Sequence, residues 1–256
     1  MTKKELFYFY KYLLSVQKVP DQSYLNAEPV SNEIRATTVE WMGVLCSHLS
    51  LENAVFHHSV HIFDKYLSCC DITTAHLHLL ATASIFISCK YEEAYPPKID
   101  WFVSLMDQTL TKKDLLEMES KILKALDFHL RFPTSNVFLS IFAEVISLKN
   151  KNHYLASYYC ELSLLTTSSR QFSFSSLAAS SIILANVVLK VNDPWPEQLF
   201  LFSDLELSEL GECIKFINTL ACAALDSSQT KGARDRFGDW RFESVSKIDQ
   251  PKDLER

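Results

Sequence analysis

Charged residues lie within four segments of the chain whose apolar residues recur at helical spacing. They are Arg35, Asp64, Lys90 and Glu119. Lys90 follows Ile87 by three residues, so a helix would place the lysine beside an apolar face and not opposite one. Removing a charge from water is costly unless the charge is paired. One such residue alone is usually just exposed, but four in successive predicted helices are candidates for ion pairs or for contacts with another molecule.

Histidines at helical spacing suggest a metal site. His57 and His58 precede His61 by four and three residues, and His76 and His78 follow nearby. Histidines at positions i and i+4 of a helix can bind zinc. The chain, however, has no H-E-x-x-H arrangement and no cluster of cysteines and histidines that would complete a tetrahedral site. We therefore predict no metal site, and we interpret these histidines as facing solvent or a partner.

Catalytic motifs are missing from the sequence. Glu92 and Glu93 could be imagined as an acid and a base, but adjacent helix residues point about 100° apart and do not face one substrate. The serines form no G-x-S-x-G motif, and the four glycines form neither a dinucleotide-binding turn nor a phosphate-binding loop. The sequence therefore predicts a protein that is not an enzyme and binds no cofactor.

Composition and charge narrow the classes of partner. The chain has 256 residues, of which 48% are hydrophobic and 22% charged, which indicates a folded protein without a membrane span. Its net charge of −6 argues against a nucleic-acid platform, which normally needs a basic face. No signal peptide is visible, and the seven cysteines form no C-x-x-C pair. We predict an intracellular protein with free, mostly buried thiols.

The pattern of apolar residues predicts an all-α protein with nine helices and no strand. Scarce glycine supports this prediction because hairpins use glycine in their turns. Possible N-cap residues at Ser31, Thr73, Thr111 and Thr134 precede four of the helices. The predicted helices span residues 3–17, 32–48, 53–68, 75–92, 112–127, 134–147, 152–168, 174–190 and 206–225.

Pro133 interrupts the pattern, after which a second set of helices of similar length begins. This break predicts two helical domains of comparable build. We assign residues 1–30 to an N-terminal helix and linker, 31–131 to a first domain and 132–226 to a second. Residues 227–256 contain two of the four glycines and several charges, and we predict an irregular tail on the surface.

Motifs along the whole chain resemble those of the cyclin family, most closely the mitotic A and B types. "EIRATTVEWM" (33–42) is similar to the family's M-R-A-I-L-V-D-W, and "HIFDKYLS" (61–68) to Y-I-D-R-F-L. "SCKYEEAYPP" (88–97) is similar to A-S-K-F-E-E-I-Y-P-P, and residues 111–134 to the helix that leads into the second domain. "ELSLL" (161–165), "WPE" (195–197) and "ARDRFGDWRFESVS" (233–246) extend the resemblance. It implies the cyclin fold, with two five-helix domains in tandem and an extra N-terminal helix.

The resemblance also implies a function. A cyclin binds and activates a cyclin-dependent serine/threonine protein kinase as a heterodimer and catalyses nothing itself. It controls cell-cycle progression, here in S phase or G2/M, in the nucleus, the cytoplasm or both. Arg35 and Asp64 would form a structural ion pair inside the fold. The kinase-binding residues implied are Lys90, Glu119, Ile87, Tyr91, Leu123, Phe128, Leu130, Phe7 and Tyr10.

The resemblance further implies a shallow groove that docks short basic-leucine peptides of kinase substrates or inhibitors. Its positions here are Ile34, Thr37, Thr38, Trp41, Val44 and His78. The tryptophan is kept, but threonines replace isoleucine and leucine, Val44 replaces a glutamate and His78 a glutamine. Less apolar area and no carboxylate predict a weakened groove. The alternative to a kinase activator is a cyclin-fold scaffold or transcription-linked adaptor, against which the acidic pI and the Lys90 and Glu119 pair argue.

Overall fold

The computed structural model describes residues 2–17, 30–105 and 110–251. Within these ranges it contains twelve α-helices and no β-strand, which confirms the predicted all-α class. Parts of the predicted linker and tail, at 18–29 and 252–256, lie outside the described residues. The helices are α1 (Lys3–Val16), α2 (Asn32–His48), α3 (Asn53–Cys69), α4 (Leu77–Glu92), α5 (Ile99–Leu105), α6 (Lys112–Ala125), α7 (Ser135–Ile146), α8 (Asn150–Leu164), α9 (Phe174–Val188), α10 (Glu197–Ser203), α11 (Leu207–Ala224) and α12 (Lys231–Phe237).

The nine long helices begin within two residues of the predicted positions because several starts depend on local chemistry. The side chains of Ser31, Thr111 and Thr134 each accept a hydrogen bond from a backbone N–H in the first turn of their helix. These bonds satisfy N–H groups that have no partner within the helix. Thr73 instead bonds the ring of His76, and a short 3₁₀ turn precedes α4.

The prediction of an irregular surface tail at 227–256 is wrong for the described residues, 227–251. Residues 231–237 form α12, and Ala233, Phe237 and Val245 are buried. The ring of Phe237 packs against that of Tyr158, with centroids 5.4 Å apart. A few large apolar side chains hold this segment against the core. Their spacing is irregular, so helical periodicity in the sequence does not predict it.

The chain divides into two compact units. One contains residues 21–132 and therefore helices α2–α6. The other contains residues 1–20 together with 133–256, and therefore α1 with α7–α12. Each unit thus holds one set of five consecutive helices, α2–α6 or α7–α11. No helix among the described residues has the length and apolarity needed to cross a bilayer. All seven cysteines are free thiols, and four are buried.

Helix α4 forms the centre of the first unit. Every residue from Leu79 to Cys89 is buried, so α4 is enclosed around its whole circumference. Helices α2, α3 and α6 pack against it. Arg35 of α2 and Asp64 of α3 form a two-pronged ion pair, with N–O distances of 2.7 and 2.8 Å. Because their side chains are only 5% and 16% exposed, this pair joins the two helices inside the fold.

Helix α9 has the corresponding place in the second unit. Residues Leu177–Asn186 are all buried, and α7, α8 and α11 pack around them. Arg236 of the C-terminal segment forms a buried ion pair with Glu161 of α8. This pair adds a charged anchor to the apolar packing of the segment.

The N-terminal helix α1 packs on the second set of helices. The hydroxyl of Tyr10 donates a hydrogen bond of 3.0 Å to the backbone carbonyl of Ser203. Its ring lies against those of Phe138, Phe142 and Phe202. Burial raises the pKa of Tyr10. Tyr10 is therefore a core residue of this unit.

We expect Arg35→Ala or Asp64→Ala to lower the free energy of unfolding by about 3 to 5 kcal/mol, because each leaves a buried charge without its partner. Chemical denaturation of the free protein measures this. The double variant Arg35→Met, Asp64→Leu should cost less than either single change, since no unpaired charge remains. Lys113→Ala, which removes an exposed pair with Glu117, should cost less than about 1 kcal/mol. Equal losses for Arg35→Ala and Lys113→Ala would contradict the structural role of the buried pair.

Candidate functional site

Lys90 and Glu119 form an ion pair between the last turn of α4 and the middle of α6. The Lys90 ammonium also lies over the ring of Phe86, 4.1 Å from its centroid. The side chains are 40% and 13% exposed, so the pair lies at the edge of the core. Burial lowers the pKa of Lys90. The structure thus brings together two charges that lie 29 residues apart in the sequence.

This ion pair leaves capacity for further hydrogen bonds. An ammonium group has three donors, and a carboxylate has about four acceptor sites. The bond between Lys90 and Glu119 uses one of each. A neighbouring molecule could therefore offer a backbone carbonyl to the lysine and a backbone N–H to the glutamate. The pair would then position two complementary groups on one surface.

The apolar residues predicted to act with the pair are buried to different depths. Tyr91 and Phe128 are 49% and 67% exposed, and Leu123 and Leu130 are half-buried. Ile87 is only 2% exposed, so it supports this surface from the core and is not available for a direct contact. Large exposed aromatic side chains close to a charged pair are typical of a protein-binding surface.

The backbone holds Phe128 in an unusual conformation. Asp127 and Phe128 both have left-handed φ angles, 48° and 56°. The N–H of Phe128 bonds the carbonyl oxygen of Leu123 at 2.9 Å, which closes the end of α6. Left-handed conformations cost a bulky residue about 1 to 3 kcal/mol. Such strain is found more often at ligand-binding positions than elsewhere, and here it presents an exposed ring.

A buried histidine, His58, supports this surface through contacts that the sequence does not indicate. The Nε2 atom of His58 lies 2.6 Å from the backbone carbonyl oxygen of Leu130. Because a carbonyl only accepts, Nε2 carries the proton and donates it. The imidazole also packs against the ring of Tyr91, with centroids 4.9 Å apart. His58 therefore links α3 to both the end of α4 and the segment after α6.

The interpretation of the histidines as facing solvent or a partner is wrong for two of them. His57 and His58 are 2% and 1% exposed. Burial lowers the pKa of His58, so this ring is neutral in the folded protein at neutral pH. The bond to Leu130 spans 72 residues, and no local sequence signal indicates it. In the described part of the chain, no group of three or more histidines, cysteines or acidic residues is arranged to hold a metal ion.

Glu92 and Glu93 have separate structural contacts. A carboxylate oxygen of Glu92 lies 3.3 Å from Nδ1 of His58. Burial and the neighbouring Glu93 raise the pKa of Glu92. Glu93 accepts a hydrogen bond of 3.1 Å from the backbone N–H of Glu52 at the start of α3. The two carboxylates therefore contact different groups, one on α3 and one at its start.

The two remaining predicted contacts, Phe7 and Tyr10, lie on α1 in the other unit. Phe7 is half-buried and packs edge-to-face against Phe202, with ring centroids 5.7 Å apart. Tyr10 has no exposed surface. A direct contact between Tyr10 and a partner is therefore inconsistent with this structure, and only Phe7 has surface to offer.

Residues of the predicted docking groove follow one face of α2. Ile34 and Val44 are 38% and 48% exposed, and Thr37 lies exposed between them. Trp41 is half-buried and packs against His78 of α4, with ring centroids 4.9 Å apart. The structure therefore brings the tryptophan and the histidine together, 37 residues apart in the sequence.

The hydroxyls of both threonines form hydrogen bonds within α2. The Thr37 hydroxyl donates to the carbonyl oxygen of Glu33 at 3.0 Å, and that of Thr38 donates to Ile34 at 2.8 Å. Both hydroxyls are thus satisfied within the helix. Thr38 is also only 4% exposed and cannot line the groove directly. The accessible differences from the family pattern are Thr37, Val44 and His78.

Family models match nearly the whole chain. The model described as "Cyclin, N-terminal domain" matches residues 7–131, and the one described as "Cyclin, C-terminal domain" matches residues 133–251.

Similar proteins and structures agree with these matches. A "G2/mitotic-specific cyclin-A" from Patella vulgata is 31% identical over 233 residues, which cover 90% of this chain and 54% of that protein. "Cyclin-A1" from Mus musculus is 32% identical over 238 residues, covering 92% and 56%. The chain thus spans little more than half the length of these relatives. A viral cyclin from herpesvirus saimiri has the same fold, with a TM-score of 0.72 at 20% identity, covering 85% of this chain and 95% of that one.

We expect His58→Gln to reduce the loss of stability on acidification. As the pH falls below 6.5, the unfolded chain protonates His58 before the folded protein does, because burial lowers the folded pKa. This group should therefore lower stability as the pH falls through this range, by at most about 1.4 kcal/mol per pH unit. Glutamine keeps a donor for Leu130 but takes up no proton. Denaturation at several pH values between about 7 and 5 measures the difference.

A matched control is His129→Gln, because the His129 side chain is 81% exposed. This variant should keep the pH dependence of the natural protein. Glu92, whose raised pKa acts with the opposite sign, is present in all three proteins. Identical pH profiles for the natural protein and His58→Gln would disprove the assignment of a neutral, buried His58.

Proposed function

This chain belongs to the cyclin family, and from that premise we propose that it binds and activates a cyclin-dependent serine/threonine protein kinase. It would act as the non-catalytic subunit of a heterodimer. We further propose an intracellular location, in the nucleus, the cytoplasm or both, and a role in S phase or G2/M. The relatives named as A-type cyclins support this proposal.

The ion pair between Lys90 and Glu119, with its aromatic rim, is the observation that carries the proposal. The pair is preformed and retains free hydrogen-bonding capacity. Tyr91, which follows Lys90 in the chain, and Phe128, which follows the end of α6, are exposed. Buried charge pairs fix the register of an interface, while aromatic side chains supply most of its buried apolar area. The surface therefore suits a partner that presents backbone groups next to apolar side chains.

In the proposed complex, Lys90 and Glu119 bond the backbone of the kinase's regulatory helix and of the loop before it. Tyr91, Phe128, Leu123 and Leu130 pack against the same helix. Holding that helix inward preserves the lysine–glutamate ion pair of the kinase that positions the phosphates of ATP. The activator thus changes the geometry of a catalytic site to which it contributes no reacting group.

The first test of this function mixes the protein with cyclin-dependent kinases and measures phosphorylation of a generic substrate. We expect the chain to bind at least one of these kinases and raise its activity. Lys90→Ala should weaken that binding by about 2 to 5 kcal/mol, because it leaves polar groups of the interface unpaired. Titration calorimetry with the purified kinase measures this loss.

Lys113→Ala is the control for charge, since Lys113 lies on α6 but is 83% exposed. It should leave kinase affinity unchanged. Melting temperatures of both variants exclude misfolding, and the 40% exposed Lys90 should contribute less than about 1 kcal/mol to the free protein. Natural affinity in Lys90→Ala would refute the proposed surface. Absence of binding to any kinase of this class would favour a scaffold.

We also propose that the groove on α2 binds basic-leucine peptides only weakly. A buried apolar side chain contributes roughly 1.5 to 3 kcal/mol, and a carboxylate would bond the peptide's arginine. Thr37→Ile with Val44→Glu should therefore increase affinity for a labelled Arg-x-Leu peptide by about tenfold or more. Fluorescence anisotropy measures this affinity.

Thr38→Leu is the matched control because Thr38 is buried. It should change stability more than peptide affinity. Kinase binding should stay the same in all these variants, since Lys90 and Glu119 are not altered. If the natural protein already binds the peptide as tightly as the double variant, the weakened groove is refuted.

A further inference from the structure

The second set of helices contains an open apolar groove that the proposed kinase contacts do not use. It lies between the end of α9, helix α10 and the first half of α11, and has a volume of about 870 Å³. Val187, Phe200 and Leu207 line it and are 39%, 38% and 54% exposed. Ile183 and Trp195 also contribute to the lining. The free protein thus leaves several large apolar side chains in contact with water.

Carboxylates surround the groove. Asp193, Glu197 and Glu206 are among its lining residues, and none of them forms an ion pair with another described residue. Lys215 is the cation of the lining, and it lies 3.1 Å from a carboxylate oxygen of Glu212. The rim is therefore negative. Its charge complements a ligand that carries lysine or arginine next to its apolar side chains.

Gly211 provides an independent indication that a ligand approaches this surface. Glycine is among the poorest helix formers, yet Gly211 lies inside α11. A Cβ atom placed there would meet no other atom within 4 Å, so packing within the fold does not require glycine. Because Gly211 lines the groove, the missing side chain leaves room for close approach to the backbone of α11.

The groove is built by the helices of the second set that correspond to those carrying the ion pair in the first set. Helices α9 and α11 are the third and fifth of their set, as α4 and α6 are of theirs. Val187 is the first exposed residue after the buried run of α9, just as Lys90 is the first after the buried run of α4. The same pair of helices builds an open surface in each unit, with a lysine in one and a valine in the other.

We propose that this groove binds a short segment of a partner protein that carries two large apolar side chains flanked by lysine or arginine. The apolar side chains occupy the space between Val187, Phe200 and Leu207. The basic residues lie against Asp193, Glu197 and Glu206. Gly211 allows the backbone of the segment to approach α11. This site is distinct from the α2 groove and does not depend on kinase activation.

The probe is a phage-displayed library of random twelve-residue peptides, selected on the immobilised natural protein. We expect enrichment of peptides that combine apolar residues with lysine or arginine. Gly211→Leu should reduce their affinity at least tenfold, because a leucine side chain fills the groove. This variant should fold, since the added side chain meets no atom and leucine favours helix.

The control for Gly211→Leu is Ala223→Leu, which places the same leucine side chain at an exposed position of α11 outside the groove. It should keep natural affinity. Asp193→Asn with Glu197→Gln should weaken binding at least tenfold and reduce its dependence on salt. An Arg-x-Leu peptide should not compete with the selected peptides.

The proposal is overturned if no enriched peptide is sensitive to Gly211→Leu, or if the sensitive peptides lack basic residues. The alternative occupant of the groove is a second copy of the chain, and analytical ultracentrifugation tests it by measuring the oligomeric state. Dimers of the natural protein that Gly211→Leu abolishes would show self-association at this groove and would likewise overturn the proposal.

Discussion

Burial of one helix on every side is the constraint on which each unit depends. From Leu79 to Cys89, α4 has no exposed residue, so it needs neighbours around its whole circumference. Helices α2, α3 and α6 supply them, and α9 imposes the same requirement on the second unit. Where α4 emerges, its first exposed residue is Lys90, which explains why a lysine follows so apolar a segment.

Both proposed binding surfaces lie where a central helix reaches the surface of its unit. Apolar residues lie near the end of a central helix where it reaches the surface. Neighbouring helices can supply a partner for a charged residue at that end. Lys90 gains Glu119 from α6, and His58 positions the adjacent backbone at Leu130. Rigid helices hold the polar groups more precisely than loops would. In the second unit, Val187 emerges among apolar residues and acidic side chains, which gives a surface of a different character.

The long helices could be predicted from sequence because their determinants are local. Ser31, Thr111 and Thr134 bond N–H groups three residues ahead, and apolar periodicity extends over several turns. Helices α5, α10 and α12 have seven residues each, too few for periodicity to distinguish them from loops. For the same reason, the C-terminal segment could not be recognised as part of a core.

The residues of the site were predictable only to the extent that a family pattern contains them. The pattern indicated Lys90 and Glu119, but it did not indicate that they bond each other or that Ile87 is buried beneath them. His58 lay beyond prediction because its acceptor is 72 residues away. The hydroxyl of Thr38 turns back to its own helix, which residue identity alone does not reveal. These properties depend on tertiary packing.

The attachment of α1 to the second set of helices has a consequence for biosynthesis. Tyr10 bonds a carbonyl group 193 residues further along the chain, and its aromatic neighbours lie on α7 and in α10. As a ribosome makes the chain from its N-terminus, α1 therefore leaves the exit tunnel long before its packing partners exist. The first five-helix set can complete its core during this interval, while the apolar face of α1 stays exposed. That face is where a chaperone would bind the nascent chain, and translation past Ser203 would release it.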